Sequence, residues 1–149
     1  MSDLKSKLFG TCPYDAICTQ ACYAALRIFT GLGLALGHGL GKVPPAEKFV
    51  GLVSGLGIPA PGAFAWMAGL GELVGGILIA LGLFTRPAAI VAGLTMLVAW
   101  YTHAFGPLSE AKGTFADQEK ALLYLFVLAV FCALGSGKFG LDRLVFKNR

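Results

Sequence analysis

Four long apolar stretches, separated by short joints rich in glycine, proline and charge, run through the chain at about 16–40, 62–84, 87–105 and 118–135. A helix that crosses a bilayer needs about 20 mostly apolar residues, because the hydrocarbon core is about 30 Å thick and each residue rises about 1.5 Å. All four stretches come close to that length. No ten-residue alternation of a membrane strand is present, and lipid offers no partner for backbone polar groups, so helices are the solution that remains. The pattern predicts an all-α integral membrane four-helix bundle, a single membrane domain over residues 1–149. Pro87 sits just after Gly82-Leu83-Phe84-Thr85-Arg86, which predicts a tight hairpin between the second and third helices. Gly106-Pro107 closes the third helix and Gly135-Ser136-Gly137 the fourth. Between the first and second spans, Pro44-Pro45-Ala46-Glu47 reads as a helix start. Phe49, Leu52, Val53 and Leu56 follow at helical spacing, predicting a short interfacial helix.

Composition agrees with this reading. Of 149 residues, 56% are hydrophobic and 13% charged, with a mean hydropathy of +0.74, which leaves too little polar surface to coat a soluble domain. The net charge of +4 lies at segment ends and loops, with no basic run interleaved with aromatics, so nucleic acid is not a predicted partner. The lipid bilayer is. One side would carry Lys5, Lys7, Arg86, Lys138, Arg143, Lys147 and Arg149, and the other Lys42, Lys48, Lys112 and Lys120, which predicts both termini in the cytoplasm. Trp66, Trp100 and Tyr101 then fall near the outer membrane interface. The polar start and the length of the first apolar stretch predict a retained anchor rather than a cleaved signal peptide. Cys12, Cys18, Cys22 and Cys132 lack a C-x-x-C spacing and read as small packing residues.

Small residues recur every four positions: Gly33, Gly37 and Gly41, then Gly71 and Gly75, then Ala129, Ala133 and Gly137. Such stripes allow close helix approach, within one chain or in a homo-oligomer. Arg27 and Glu72 stand near the middle of predicted spans, where a charge costs about 2.5 to 3.5 kcal/mol on insertion scales. Counting residues in from each helix start gives them similar depths, which predicts a buried ion pair. It would either lock the register of two helices or form the polar floor of a cavity for a quinone-like or other amphipathic ligand. A second polar group, His38, Lys42, His103 and Glu119, gathers by depth at the outer side. The two histidines and one carboxylate come from separate helices without metal-site spacing, so no metal is predicted, and interface anchoring accounts for them. No nucleophile elbow, P-loop or haem-attachment motif is present.

The order of several motifs resembles the DoxX family of small four-helix bacterial membrane proteins. It runs through Arg27, Gly31 and Gly37-His38-Gly39-Leu40-Gly41-Lys42, then Gly55-Leu56-Gly57-Ile58-Pro59 and Gly71-Glu72-Leu73-Val74-Gly75-Gly76. Leu81-Gly82-Leu83-Phe84-Thr85-Arg86-Pro87, Glu119-Lys120-Ala121-Leu122-Leu123-Tyr124 and Gly140-Leu141-Asp142-Arg143 complete it. The resemblance implies a multi-pass protein of the bacterial inner (cytoplasmic) membrane. The family takes its name from a subunit of a thiosulfate:quinone oxidoreductase, and other members are associated with oxidative-stress or thiol-redox complexes. Arg27, Lys42, Glu72 and Glu119 fall where the family's recurring polar residues lie, and with His38 and His103 they are the candidate ligand contacts. The implied role is a membrane-integral subunit of a redox complex that binds or passes a quinone-like cofactor near Arg27 and Glu72, with electrons from a partner protein subunit. The rival is a non-enzymatic scaffold or assembly factor for a membrane complex.

Overall fold

The structure, a computed structural model, describes residues 13–106 and 114–146. Lys5, Lys7, Cys12, Pro107, Lys112, Lys147 and Arg149, used in the sequence argument, lie outside the described residues. Every regular element among the described residues is helical. In chain order they are α1 (Ile17–Leu32), α2 (Glu47–Ser54), α3 (Pro61–Leu81), α4 (Thr85–Ala104), α5 (Phe115–Leu134) and a final turn α6 (Asp142–Val145). The first apolar stretch does not stay α-helical. After Leu32 it widens into a π-helix over Gly33–Gly39 and then tightens into a 3₁₀ turn over Leu40–Lys42. The predicted short helix after the first span is present as α2, with Val53 buried against the bundle.

Among the described residues, three helical stretches are long and apolar enough to cross a membrane: Ile17–Lys42, Pro61–Leu81 and Thr85–Ala104. The fourth long helix, α5, has 20 residues but opens with Asp117, Glu119 and Lys120. Those three charges keep it out of that set, whereas the sequence pattern counts it as a fourth span.

Helix ends follow local chemistry. α3 stops at Leu81, earlier than the apolar pattern predicts, because Gly82 turns left-handed at φ 69°. There Gly82 N–H donates to the Ile79 carbonyl and Leu83 N–H to the Leu78 carbonyl, a Schellman ending. α4 starts at Thr85, after three linking residues and with Pro87 in its first turn, so the predicted hairpin is present.

Around the bundle the helices follow the order α1, α3, α4, α5. The core between them holds Tyr23, Leu34, Ile79, Ala88, Ala89, Ala92, Met96, Leu128 and Phe131. α1 and α5 touch only sparingly, chiefly at the end that carries the α3–α4 turn. There the Tyr23 ring packs edge-on to Phe131 at 5.7 Å and its hydroxyl donates to the Gly135 carbonyl at 2.5 Å. This end is called the turn end below, and the opposite one the far end.

The glycine stripe of the first span is shifted from the predicted one. Gly31, Ala35 and Gly39 face α3: a Cβ on Gly31 would lie 2.5 Å from the Gly76 carbonyl oxygen, and one on Gly39 would strike the backbone of Leu73. Gly37 and Gly41 have nothing within 4 Å of such an atom, and Gly33 faces the Tyr124 hydroxyl. A spacing of four marks a face without saying which of two parallel stripes is buried. Gly71 and Gly75 do face a neighbour, α4. Ala129 and Ala133 are exposed, and α5 instead buries Ala121, Leu128 and Phe131. Cys132 packs against the core as predicted, whereas Cys18 and Cys22 sit on the exposed surface of α1.

Candidate functional site

Arg27 and Glu72 do not meet. Arg27 is 1% exposed, and its guanidinium donates to the carbonyls of Ile79 and Ala80 at the C-terminus of α3, and more weakly to Phe139 at 3.5 Å. Those carbonyls carry the negative end of the α3 dipole, so a cation there stabilises the helix and satisfies acceptors that the helix cannot pair internally. The contact lies two turns along α3 from Glu72, about 10 Å at 1.5 Å per residue. Equal counting from the helix starts failed because the first span is 26 residues long and α3 is 21, and the two are not level at their ends.

The same end supplies the complementary charge. The Asp142 carboxylate accepts from Phe84 N–H at 2.6 Å and Thr85 N–H at 3.1 Å, capping the N-terminus of α4 with an anion. The backbone N–H groups of Leu141 and Asp142 donate to the carbonyls of Leu81 and Gly82. Arg86 donates to the Ala133 carbonyl at 3.1 Å, near the C-terminus of α5. Three motifs far apart in sequence, Arg27, Gly82–Pro87 and Gly140–Asp142, thus close on one turn.

Glu72 has another partner. Its side chain is 1% exposed, and both carboxylate oxygens lie 2.7 Å from the Lys42 ammonium. Lys42 is 27% exposed and also lies over the Phe49 ring of α2, 5.4 Å from its centre. The 3₁₀ turn after the π-helix holds Lys42 at this level.

At the far end, where α1 and α5 part, a cavity of about 380 Å³ opens between the π-helix, α4 and the first turns of α5. His38, Lys42, His103, Asp117, Lys120 and Tyr124 supply its polar lining, and Met96, Ala99, Ala116 and Ala121 complete it. Tyr124 and Met96 lie deepest along their helices. The His38 ring meets Tyr124 edge-on at 5.4 Å. Asp117 accepts the Thr114 hydroxyl at 2.5 Å and is engaged in starting α5. Glu72 offsets the charge of Lys42, so Asp117, Lys120 and the two histidines set the balance of the lining.

His103 is held in one orientation. Its Nδ1 lies 2.8 Å from the Ala99 carbonyl oxygen, which can only accept, so Nδ1 carries the proton. In the neutral ring Nε2, on the edge turned away from the α4 backbone, is then an acceptor.

The structure therefore brings His38, Lys42 and His103 to one cavity, with Glu72 behind Lys42, and leaves Arg27 at the other end. Glu119 is exposed and outside the lining, because on α5 it faces away from Lys120 and Tyr124. Asp117, Lys120 and Tyr124 were missed by sequence reasoning. Their signal was available: they fall at i, i+3 and i+7, one face of a helix whose remaining length is apolar.

The DoxX family model matches residues 22–104, a stretch that includes His38, Lys42, Glu72 and His103. A Bacillus subtilis (strain 168) protein carrying the name "Putative oxidoreductase CatD" is 29% identical over 125 residues, covering 83% of this chain and 87% of that protein. A Haemophilus influenzae protein, named only "Uncharacterized protein", is 38% identical over 83 residues, 55% of this chain. The chain spans 62% of that relative's length. No solved structure matches the chain significantly.

Proposed function

The chain belongs to the DoxX family of membrane proteins, and from that premise we propose that it is a membrane-integral subunit of a redox complex that holds a quinone-like ring in the far-end cavity. A partner protein supplies or removes the electrons. In this reading α5 is a fourth span, both termini are cytoplasmic, the far end faces outward, and the membrane is the bacterial inner membrane. The observation that carries the proposal is the cavity itself. A space of about 380 Å³ lined by Tyr124, two histidines and Lys42 offers hydrogen bonds to ring oxygens beside apolar walls from Met96 and Ala121. The name of the Bacillus relative supports a redox connection. The ligand contacts are His38, Lys42 and His103, with Glu72 holding Lys42 in place. Arg27 keeps the α3–α4 turn closed and makes no ligand contact.

Purification in mild detergent followed by mass spectrometry of retained small molecules tests this. Wild-type protein should carry a quinone, and Glu72→Gln, which frees Lys42 from its anchor, should lose most of it while remaining folded. Lipid alone in the wild type, or quinone held equally by the variant, refutes the assignment.

One observation favours the scaffold reading. Ala129 and Ala133 lie exposed on α5, leaving a small-residue face open to a helix of another subunit. A partner whose assembly needs this chain, but whose activity does not, would support it.

A further inference from the structure

The lining of the far-end cavity is not uniform in its hydrogen-bonding sense. Lys42 and Lys120 present only donors. His103 is different, because its Nδ1 proton is committed to the Ala99 carbonyl at 2.8 Å and, in the neutral ring, its remaining nitrogen presents a lone pair. A fully oxidised quinone offers acceptors alone, so it can be served by the lysines and leaves His103 opposite a second acceptor. A hydroquinone carries two hydroxyl groups, each able to donate and to accept. It satisfies His103 and a lysine together.

Resting on the quinone reading above, we propose that the cavity selects the reduced, hydroxyl-bearing form of its ring ligand, and that His103 is the specificity-determining residue. The preference follows from an asymmetry of cost: an acceptor that a bound ligand covers without meeting loses its water without gaining a donor. His38 does not share the role, since among the described residues no hydrogen bond fixes its tautomer and its ring is held edge-on to Tyr124 at 5.4 Å. It can turn to suit either form. Tyr124, whose hydroxyl can donate or accept, serves either form as well, and Asp117 shares its carboxylate with the Thr114 hydroxyl at 2.5 Å.

The test titrates the purified full chain with a decyl-substituted benzoquinone and, separately, with the same molecule reduced to its hydroquinone under anaerobic conditions. The hydroquinone should bind roughly tenfold more tightly, the size of one net hydrogen bond. His103→Leu should bring the ratio of the two affinities close to one. His103→Gln, whose amide oxygen restores an acceptor, should recover part of the preference. A thermal melt of each variant separates a lost preference from a lost fold, and a variant that does not fold is replaced by His103→Phe. Equal binding of the two forms by wild type, or a ratio unchanged in His103→Leu, overturns the inference and leaves the quinone site standing. Binding of neither form removes the quinone site, and the inference falls with it.

Discussion

At the turn end Arg27, Arg86 and Asp142 are all engaged by main-chain groups, the two cations at carbonyls of α3 and α5 and the anion at the first N–H groups of α4. At the far end His38, Lys42, His103 and Lys120 border a cavity, and among the described residues their one ionic tie is between Lys42 and the buried Glu72. The same residue types thus do different work at the two ends. A charged group taken up by helix ends stabilises the fold and, where it is buried as Arg27 is, is not presented to a ligand. One that faces a cavity with capacity to spare contributes less to stability and is available for recognition. An ionisable residue within a membrane span is a functional candidate by default, and the main-chain partners of Arg27 set it on the structural side.

The comparison breaks first at Arg27. Arg27→Ala removes the donor to two carbonyls beneath a closed turn and leaves a void where a fully buried side chain stood. Each buried polar group left unmet costs about 1–3 kcal/mol, and truncation adds a cavity term. The expected loss is about 3 kcal/mol, read by unfolding in detergent, with quinone binding by the folded fraction unchanged. A loss under about 1 kcal/mol, within the range of a surface substitution, would remove the turn end from the structural side of the comparison.

A smaller effect tests the register that separates the ends. Gly31 meets the backbone of Gly76 and Ala80 directly, while Gly37 meets nothing. Gly31→Ala pushes a methyl group against main chain that cannot yield by rotating, at about 2 kcal/mol for an overpacked contact. Gly37→Ala should be neutral or stabilising by up to about 1 kcal/mol, since glycine is the poorer helix former. Equal losses in the two variants, measured by the same unfolding, would mean that the first span packs through the other stripe and that its far end is turned differently.

Much of this architecture was legible in the sequence, because hydropathy reports helix existence and Gly-Pro punctuation reports turns. The α3–α4 hairpin and the short α2 were readable from Pro87, Gly82 and Pro44-Pro45 alone. Register was not. It depends on which face of each helix is buried and on the length of each helix, and the π-helix at Gly33–Gly39 alters the turn at the point where His38 and Lys42 are placed. Glycine content permits such a segment without specifying it. For that reason the depth argument paired Arg27 with Glu72, while the depth grouping of His38, Lys42, His103 and Glu119 leaves Glu119 exposed, outside the cavity that the other three line. The motifs at Gly82–Pro87 and Gly140–Arg143 were visible as motifs, but their shared purpose with Arg27 appears only when the chain is folded.

His38 offers the finest test of the contrast because its two expected effects differ most. It is half-buried, makes an edge-on contact with Tyr124 and accepts no structural duty at a helix end. Such an aromatic pair is worth about 0.5–1.5 kcal/mol, and the cavity beside it can admit water in place of the ring, so His38→Ala should lower stability by less than about 1 kcal/mol. Quinone retention should fall at least severalfold, because one of the cavity's polar walls is gone. Unfolding and ligand retention measured on the same preparation separate the two. If His38→Ala instead destabilised the protein as much as Arg27→Ala while folded protein kept its ligand, the far end would be a second structural clamp, and the division between an end that holds the fold and an end that holds a ligand would be lost.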